Sequence, residues 1–435
     1  MNVSYFIAKK VARSGQQSFS RLIIRIAIIA IALSVSVMIC ANALIRGFKN
    51  EISSKIFGFW GHIHITDTDI NGSLLEAFPI NKNQAFYPHM DTIRQIRYPL
   101  GNDWLGQTES TYQKSKGGIH HIQVFAIRPG IIESGKGDTK EIEGIILKGV
   151  GNDFDWSFIQ SYIKRGQALS LPDTAMSNDI LISEQTAKRL QVDTGATFLV
   201  HFVEKGEQLR RRFKVCGIYK TGLEEYDKKF ALVDIRQIQR LLGWSAEEVG
   251  GFEVFVDDLD DLDPISDYIY YEVLPNDLYP ESIRRKFPEI FQWLDLQDIN
   301  EVVILTLMVI VAIINMITAL MILILERTNM IGILKALGSS NWAIRKIFLM
   351  YAGYIILWGL FWGNLLGIGL CLLQDKFHFI QLSEENYYLS TAPIDLDMWT
   401  VLIINAGTLL ITLVFLILPS YLVTYISPVK AIRFK

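Results

Sequence analysis

The chain has 435 residues, with 42 Lys and Arg set against 45 Asp and Glu, a formal net charge of −3, and half of its residues hydrophobic. Four apolar runs, at residues 22–45, 302–325, 349–373 and 399–423, each exceed the roughly 20 residues a helix needs to cross a bilayer, and a polar block separates the first from the other three. That block is net acidic, which argues against nucleic acid or an anionic lipid surface as its partner. Of the three cysteines only Cys216 falls in it, so no disulfide can form within it and its core must hold by packing.

In chain order, residues 1–21 carry Tyr5, Phe6, Ile7, Val11 and Phe19 among basic residues, the pattern of an amphipathic helix lying on a membrane surface. The first transmembrane helix is expected over 22–46. Its length and the bulky Ile39 before Cys40 argue for an uncleaved anchor over a signal peptide or lipidation site. Residues 48–59 continue it as a helical stalk. An alternating segment at His62–Ile65 opens a domain over 47–298. Further strands are expected near 122–127, 142–147, 196–202, 212–219, 230–233 and 252–256, and helices at 184–190, 235–242, 267–273 and 280–293. Strands mixed with short helices make this an α+β domain of two subdomains. Transmembrane helices follow at 299–325, 346–373 and 399–423, joined by loops at 326–345 and 374–398, with a tail at 424–435. The expected architecture is a membrane α-helical bundle of four transmembrane helices in one-plus-three order, with a large extracytoplasmic α+β domain inserted between helices 1 and 2.

Orientation follows from the Lys and Arg beside the spans. Lys9, Lys10, Arg13, Arg21 and Arg25 flank the first, and Arg327, Lys335, Arg345 and Lys346 lie between the second and third. Lys430, Arg433 and Lys435 follow the fourth, whereas loop 374–398 carries Lys376 against Asp375, Glu384, Glu385, Asp395 and Asp397. Both termini and loop 326–345 are expected on the cytoplasmic side of the membrane, with the large domain outside.

The sequence offers no catalytic constellation. Gly130 to Gly137 imitates a phosphate loop but ends on Gly137, where a Ser or Thr hydroxyl is needed for magnesium. His62, His64, His120 and His121 lack Cys or acidic partners at ligand spacing, so no metal site is expected. Gly359, Gly363 and Gly367 recur every four residues on one helix face, where small residues admit another backbone. The most informative segment is 326–350. Met330, Ile333, Leu334 and Leu337 take the i, i+3, i+4, i+7 spacing of an amphipathic helix, placed where a turn alone would have joined two spans.

That segment resembles permeases of the FtsX and macrolide-exporter type, through Glu326, Arg327, Thr328, Ile331, Gly332, Ile333, Leu334, Lys335, Ala336, Leu337 and Gly338. Pro419-Ser420-Tyr421 and residues 427–433 resemble the family's ending. Within the family the chain is most similar to the lipoprotein-releasing (Lol) permease subunits. The residues involved are Gly47-Phe48, Glu51, Gly58 and His62-Ile63, the run Gly217–Gly222 with Glu225-Tyr226-Asp227, and Tyr387-Tyr388-Leu389 with Ala392-Pro393-Ile394. Ser339-Ser340-Asn341 and Tyr421 depart from the usual pattern.

The resemblance implies a non-catalytic permease subunit. It would hold no cofactor, since ATP and magnesium would bind a separate cytoplasmic ABC ATPase dimer. Its other partners would be a second permease copy or paralogue, membrane lipid, a lipoprotein substrate and a periplasmic carrier. The coupling residues would be Glu326, Arg327, Thr328, Met330, Ile331, Gly332, Leu334, Lys335, Leu337 and Gly338. Val35, Met38, Ile39, Val309 and Ile313 are the expected acyl contacts. Two other readings share this architecture: a permease for drug or peptide efflux, and a mechanotransmitter that regulates a cell-wall hydrolase. A membrane-anchored sensor or enzyme would lack the amphipathic loop and carry a catalytic constellation.

Overall fold

In the computed structural model, the described residues are 18–68, 78–99, 112–134, 141–173, 175–204 and 207–426. Residues 1–17 of the amphipathic segment expected over 1–21, and 427–435 of the tail expected over 424–435, lie outside them, as do residues 135–137 of the phosphate-loop imitation. The described residues form two compact units, one of residues 18–51, 292–381 and 391–426, the other of residues 52–291 with 382–390.

The first unit is helical. It is built on α1 (Ser18–Trp60), α2 (Pro288–Glu326), the short α3 (Thr328–Ala336), α4 (Asn341–Phe377) and α5 (Met398–Phe415), with two further turns at Ile417–Ser420 and Leu422–Tyr425. Among the described residues four helical segments are long and apolar enough to cross a membrane. Their buried stripes meet in one core that includes Ile31, Val35, Met38, Met316, Leu320, Ile324, Phe348, Ile355 and Ile356. Polar groups gather beyond the apolar stretch of α1. Asn42 donates to Glu301 at 2.6 Å, Arg46 reaches Asp397 at 2.8 Å and Asp395 at 3.4 Å, and Lys49 pairs with Asp298 at 2.7 Å.

The second unit is an α+β domain around a ten-stranded sheet. Its strands are β1 (Ile63–Asp67), β2 (Ile119–Ser134), β3 (Glu141–Val150), β4 (Ile163–Gly166), β5 (Asp179–Ser183), β6 (Thr197–Glu204), β7 (Glu207–Tyr219), β8 (Phe230–Asp234), β9 (Gly251–Val256) and β10 (Leu278–Ser282). They run in the order β10-β1-β9-β2-β3-β8-β5-β7-β4, with β6 pairing both β7 and β2. Neighbours are antiparallel except β8 on β3 and β7 on β5. The helix Ile235–Leu242 lays Ile235, Ile238 and Leu241 into the core. It is capped by Asp234, which accepts from the Arg236 N–H, and it stops at Gly243 in the left-handed region.

Two expectations give way. Residues 280–293 do not form one helix, because Leu278–Ser282 pair along β1 in the register Ile63 to Ser282 and Asp67 to Leu278. Pro280 suggests a helix start, yet it sits in an edge strand, where a missing N–H costs the ladder nothing. Loop 374–398 is also more structured than expected: α4 runs to Phe377, and residues 382–390 belong to the α+β unit.

The C-terminus of α1 is buried. Gly61 adopts φ +74° and returns its N–H to the Phe57 carbonyl at 2.7 Å. Two carbonyls of the final turn are met by side chains: Lys148 Nζ donates to Phe59 O, and His64 Nε2 lies 2.6 Å from Trp60 O. Lys148 and Glu253 are both fully buried, and Nζ lies 2.7 Å from Oε1 at an angle outside good hydrogen-bond geometry. Gln123 donates to the other Glu253 oxygen at 2.7 Å, and the rings of Phe59, Trp60 and Phe154 surround the ammonium at 5.1–5.7 Å. Burial pushes Lys148 down and Glu253 up, and each partner opposes that drift in the other.

His62 generates a pH-dependent prediction. Its Nδ1 accepts the Val256 N–H at 3.2 Å, and its ring stacks on Phe57 and meets Phe255 edge-on. Burial, helped by His120, lowers its pKa from 6.5 to about 3. Below the unfolded value the unfolded chain takes up a proton that the folded imidazole refuses, so stability falls as pH drops through that window. By pH 5 the loss from this one group reaches about 2 kcal/mol. Hydrogen exchange at β9 amides, corrected for intrinsic rates, should therefore quicken between pH 7 and pH 5. The quickening should shrink in His62→Gln, and an unchanged pH slope in that variant would rule His62 out as its source.

Candidate functional site

The junction between α2 and α4 is built by local chemistry. The chain breaks at Arg327 (φ −101°, ψ 21°) and re-enters a helix at Thr328. It ends α3 with Gly338 at φ +90°, a backbone region that admits glycine without strain. The Ser339 N–H returns to Leu334 O and the Gly338 N–H to Lys335 O, both at 3.0 Å, which closes the last carbonyls of α3. Two residues later Ser340 caps α4, its Oγ accepting the Ala343 N–H at 3.2 Å. Gly338 and Ser340 thus supply a helix stop and a helix start two residues apart.

The faces of α3 are divided. Ile331 is fully buried, and Met330 and Leu334 pack partly buried against the bundle core. Ile333 is 54% exposed and Leu337 78%, four residues apart on one face, and Trp342 beyond the turn is 60% exposed. Lys335 does not extend that face. Its Nζ donates to the carbonyls of Val423 at 2.7 Å, Ile426 at 2.8 Å and Thr424 at 3.2 Å, so all three ammonium donors close the last helical turn. Partial desolvation, with Arg345 nearby, lowers its pKa. Arg345 lies 3.7 Å over the Tyr421 ring and donates to Thr424 Oγ1, which gives Tyr421 a structural partner.

Gly359, Gly363 and Gly367 all face α1. A Cβ at Gly359 would lie 2.6 Å from Ile31, and one at Gly363 2.8 Å from Val35 and 2.9 Å from the Ala32 carbonyl. At Gly367 it would lie 3.1 Å from the Ser36 Cα. The helices approach backbone to backbone along this seam. Val35, Met38 and Ile39 are buried there, Ile313 is 9% exposed and Val309 half-buried. Val35, Met38, Ile39 and Ile313 therefore offer no open surface within one chain, and Val309 keeps a partial one. An all-apolar helix conceals which side is its core side, and the sides of α1 left open carry Leu22, Ile26, Ile29 and Leu33.

Sequence reading passed over several residues that order the α+β unit. Lys148 and Glu253 form one group with His64, which the sequence offers only as a metal candidate; the available signal was a charged residue inside each of the strand runs IILKGV and GFEVFV. The motif around Gly217 has a plain structural account. Asp227 accepts from the Thr221 N–H and Gly222 N–H at 3.1 Å and from Thr221 Oγ1 at 2.7 Å, fixing the turn where Gly222 takes φ +82°. Lys220 pairs with Glu384 at 2.8 Å, and Lys55 donates to Tyr388 O at 3.2 Å, which ties residues 382–390 to the domain. Among the described residues no three His, Cys, Asp or Glu side chains gather as a metal site.

Residues 302–428 match the family described as FtsX-like permease C-terminal. Over nearly its whole length the chain is similar to proteins of comparable size. It is 23% identical to the "Lipoprotein-releasing system transmembrane protein LolE" of Haemophilus influenzae, across 99% of each chain. It is 22% identical to the "Lipoprotein-releasing system transmembrane protein LolC" of Neisseria meningitidis serogroup B, across 100% of this chain and 98% of that one. The extracellular domain of the noncanonic ABC-type transporter YknZ aligns with 44% of this chain at 11% identity and a TM-score of 0.27, too slight a likeness to bear on the fold.

The seam yields a direct prediction. Gly363→Leu forces a branched side chain into backbone contact, and overpacking of this kind costs about 1–3 kcal/mol. Gly369, two residues past the seam, has nothing within 4 Å of an added Cβ. Gly363→Leu should lower the melting temperature of the detergent-purified protein, and Gly369→Leu should leave it near wild type. Equal melting of both variants would contradict a tight α1–α4 contact.

Proposed function

We propose that this chain is the permease subunit of an ATP-driven transporter that extracts lipoproteins from the outer leaflet of the bacterial inner membrane. The observation that carries this reading is the end-to-end similarity to several proteins named as transmembrane components of lipoprotein-releasing systems. The charge bias beside the spans supports cytoplasmic termini and a periplasmic α+β domain.

In this reading α3 is the input. A separate ABC ATPase dimer binds ATP and magnesium and grips the exposed Ile333, Leu337 and Trp342, whose apolar area gives a docking helix its hold. Because α3 leads into α4 through a closed turn, and Lys335 ties α3 to the last helical turn, a push on α3 moves these segments together. The glycine seam passes the movement from α4 to α1, whose residues belong to both units. Two permeases, identical or paralogous, close on each other and displace a triacylated lipoprotein towards a periplasmic carrier. The acyl chains meet the open apolar sides of the spans, and Val35, Met38 and Ile39 join them only as α1 moves off the seam.

Replacing Leu337 with Asp puts a carboxylate on the docking face. Loss of one central apolar anchor costs about 2 kcal/mol or more, roughly thirtyfold in affinity, so the ATPase should no longer co-purify. Undiminished recovery of the ATPase with Leu337→Asp would refute α3 as its docking helix. Depleting the chain should leave outer-membrane lipoproteins in the inner membrane on density-gradient fractionation. Normal sorting, with a new sensitivity to drugs or a division defect, would instead assign the chain to efflux or to hydrolase control.

A further inference from the structure

Cys40 on α1 and Cys371 on α4 bring their sulfurs to 3.8 Å, the Cys371 S–H directed at Cys40 Sγ. Both are free thiols. The Cys40 S–H in turn points at the Gly367 carbonyl, 3.6 Å away. The glycine seam makes this approach possible, since Gly367 precedes Cys371 by one helical turn and presses against the α1 backbone at Ser36. A disulfide needs an S–S length near 2.05 Å, so the sulfurs must close by roughly 1.8 Å. Side-chain rotation supplies that where two backbones already touch.

The surroundings sort the two sulfurs. Cys371 is 2% exposed, whereas Cys40 is half-buried and is the one a small solute reaches first. The polar layer begins about one turn further along both helices, at Asn42 and at Gln374, which donates to the Ala392 carbonyl at 3.1 Å.

We propose that Cys40 and Cys371 are a redox-closable clasp: a peroxide-class oxidant converts the thiol pair into an intramolecular disulfide that fastens α1 to α4. The Cys40 sulfur attacks the peroxide O–O bond, becoming a sulfenic acid as one water leaves. The Cys371 sulfur then displaces the sulfenyl oxygen, which departs as a second water, and the S–S bond forms. Two thiols and one hydrogen peroxide thus give one disulfide and two waters. The clasp joins positions 331 residues apart in the chain and fixes the seam along which the two helices must shift if they move at all. It rests on the thiol geometry alone and holds whatever the transporter carries. Cys216 stands apart as an internal control, because its S–H points at the Ile180 carbonyl, 3.4 Å away, whereas the other two thiols point at each other's surroundings along the seam.

The test uses the full-length protein in lipid nanodiscs, titrated with hydrogen peroxide, quenched with N-ethylmaleimide and digested without reduction. The expected product is a linked peptide pair containing Cys40 and Cys371, an intact mass lower by about 2 Da, and full reversal by dithiothreitol. Cys216 should remain unlinked, and Cys40→Ser and Cys371→Ser should each abolish the pair. Recovery of Cys40 and Cys371 as separate alkylated or sulfinic peptides, or only links between chains, would overturn the clasp. Since the primary readout is on the unaltered protein, misfolding of a variant cannot mask either result.

Discussion

A helix that ends inside a protein must find partners for its last carbonyls, and the 43-residue α1 ends at a fully buried Trp60. The solution is an ammonium, an imidazole and a left-handed glycine placed around a single turn. Placing the ammonium of Lys148 there is possible only because Glu253 and three aromatic faces surround it. Glu253 in turn is held by Gln123, whose Oε1 takes the Asp155 N–H at 2.9 Å. Removing one member of such a pair leaves an uncompensated buried charge, a loss of about 3–5 kcal/mol. The terminus of α1 is thereby set among β1, β2, β3 and β9, the centre of the sheet.

In the helical unit the same economy recurs at the junction of α2, α3 and α4. Backbone groups freed by a break in one helix are taken up by the stop of the next, the start of another, or a lysine. Lys335 is informative because its sequence position suggests a docking residue. The three carbonyls it closes make it a fastening between α3 and the final turn, and the exposed apolar residues beside it are Ile333 and Leu337. A charge-assisted hydrogen bond to a helix end and a charge offered to a partner cannot both use the same three N–H groups.

Much of this was legible beforehand. The four long apolar helices and most strands follow from apolar run length and alternation, and the Gly359, Gly363 and Gly367 spacing selects one face of α4. What could not be read has identifiable physical causes. Pro280 carries both a helix-start and an edge-strand meaning, and only pairing with β1 decides between them. Val35, Met38 and Ile39 are as apolar as Ile29 and Leu33, so hydropathy alone could not tell which side of α1 would be packed. Lys148 and Glu253 look like solvent residues one at a time and become a core only as a pair brought together from separate strands.

The apolar character of α1 on all sides has a mechanical consequence. Around the transmembrane part of an ordinary surface helix, turning about the long axis would drag polar side chains into oil and be resisted steeply. Here a turn exchanges Ile31 and Val35 for Ile29 and Leu33, one hydrocarbon surface for another, and the solvent term hardly changes. Within the helical unit, resistance to rotation therefore comes from shape, through the glycine notches of α4, and from the contacts of Asn42, Arg46 and Lys49. Such a helix behaves as a shaft in a greased sleeve, with its angular position set by a few teeth and latches in place of a polarity gradient.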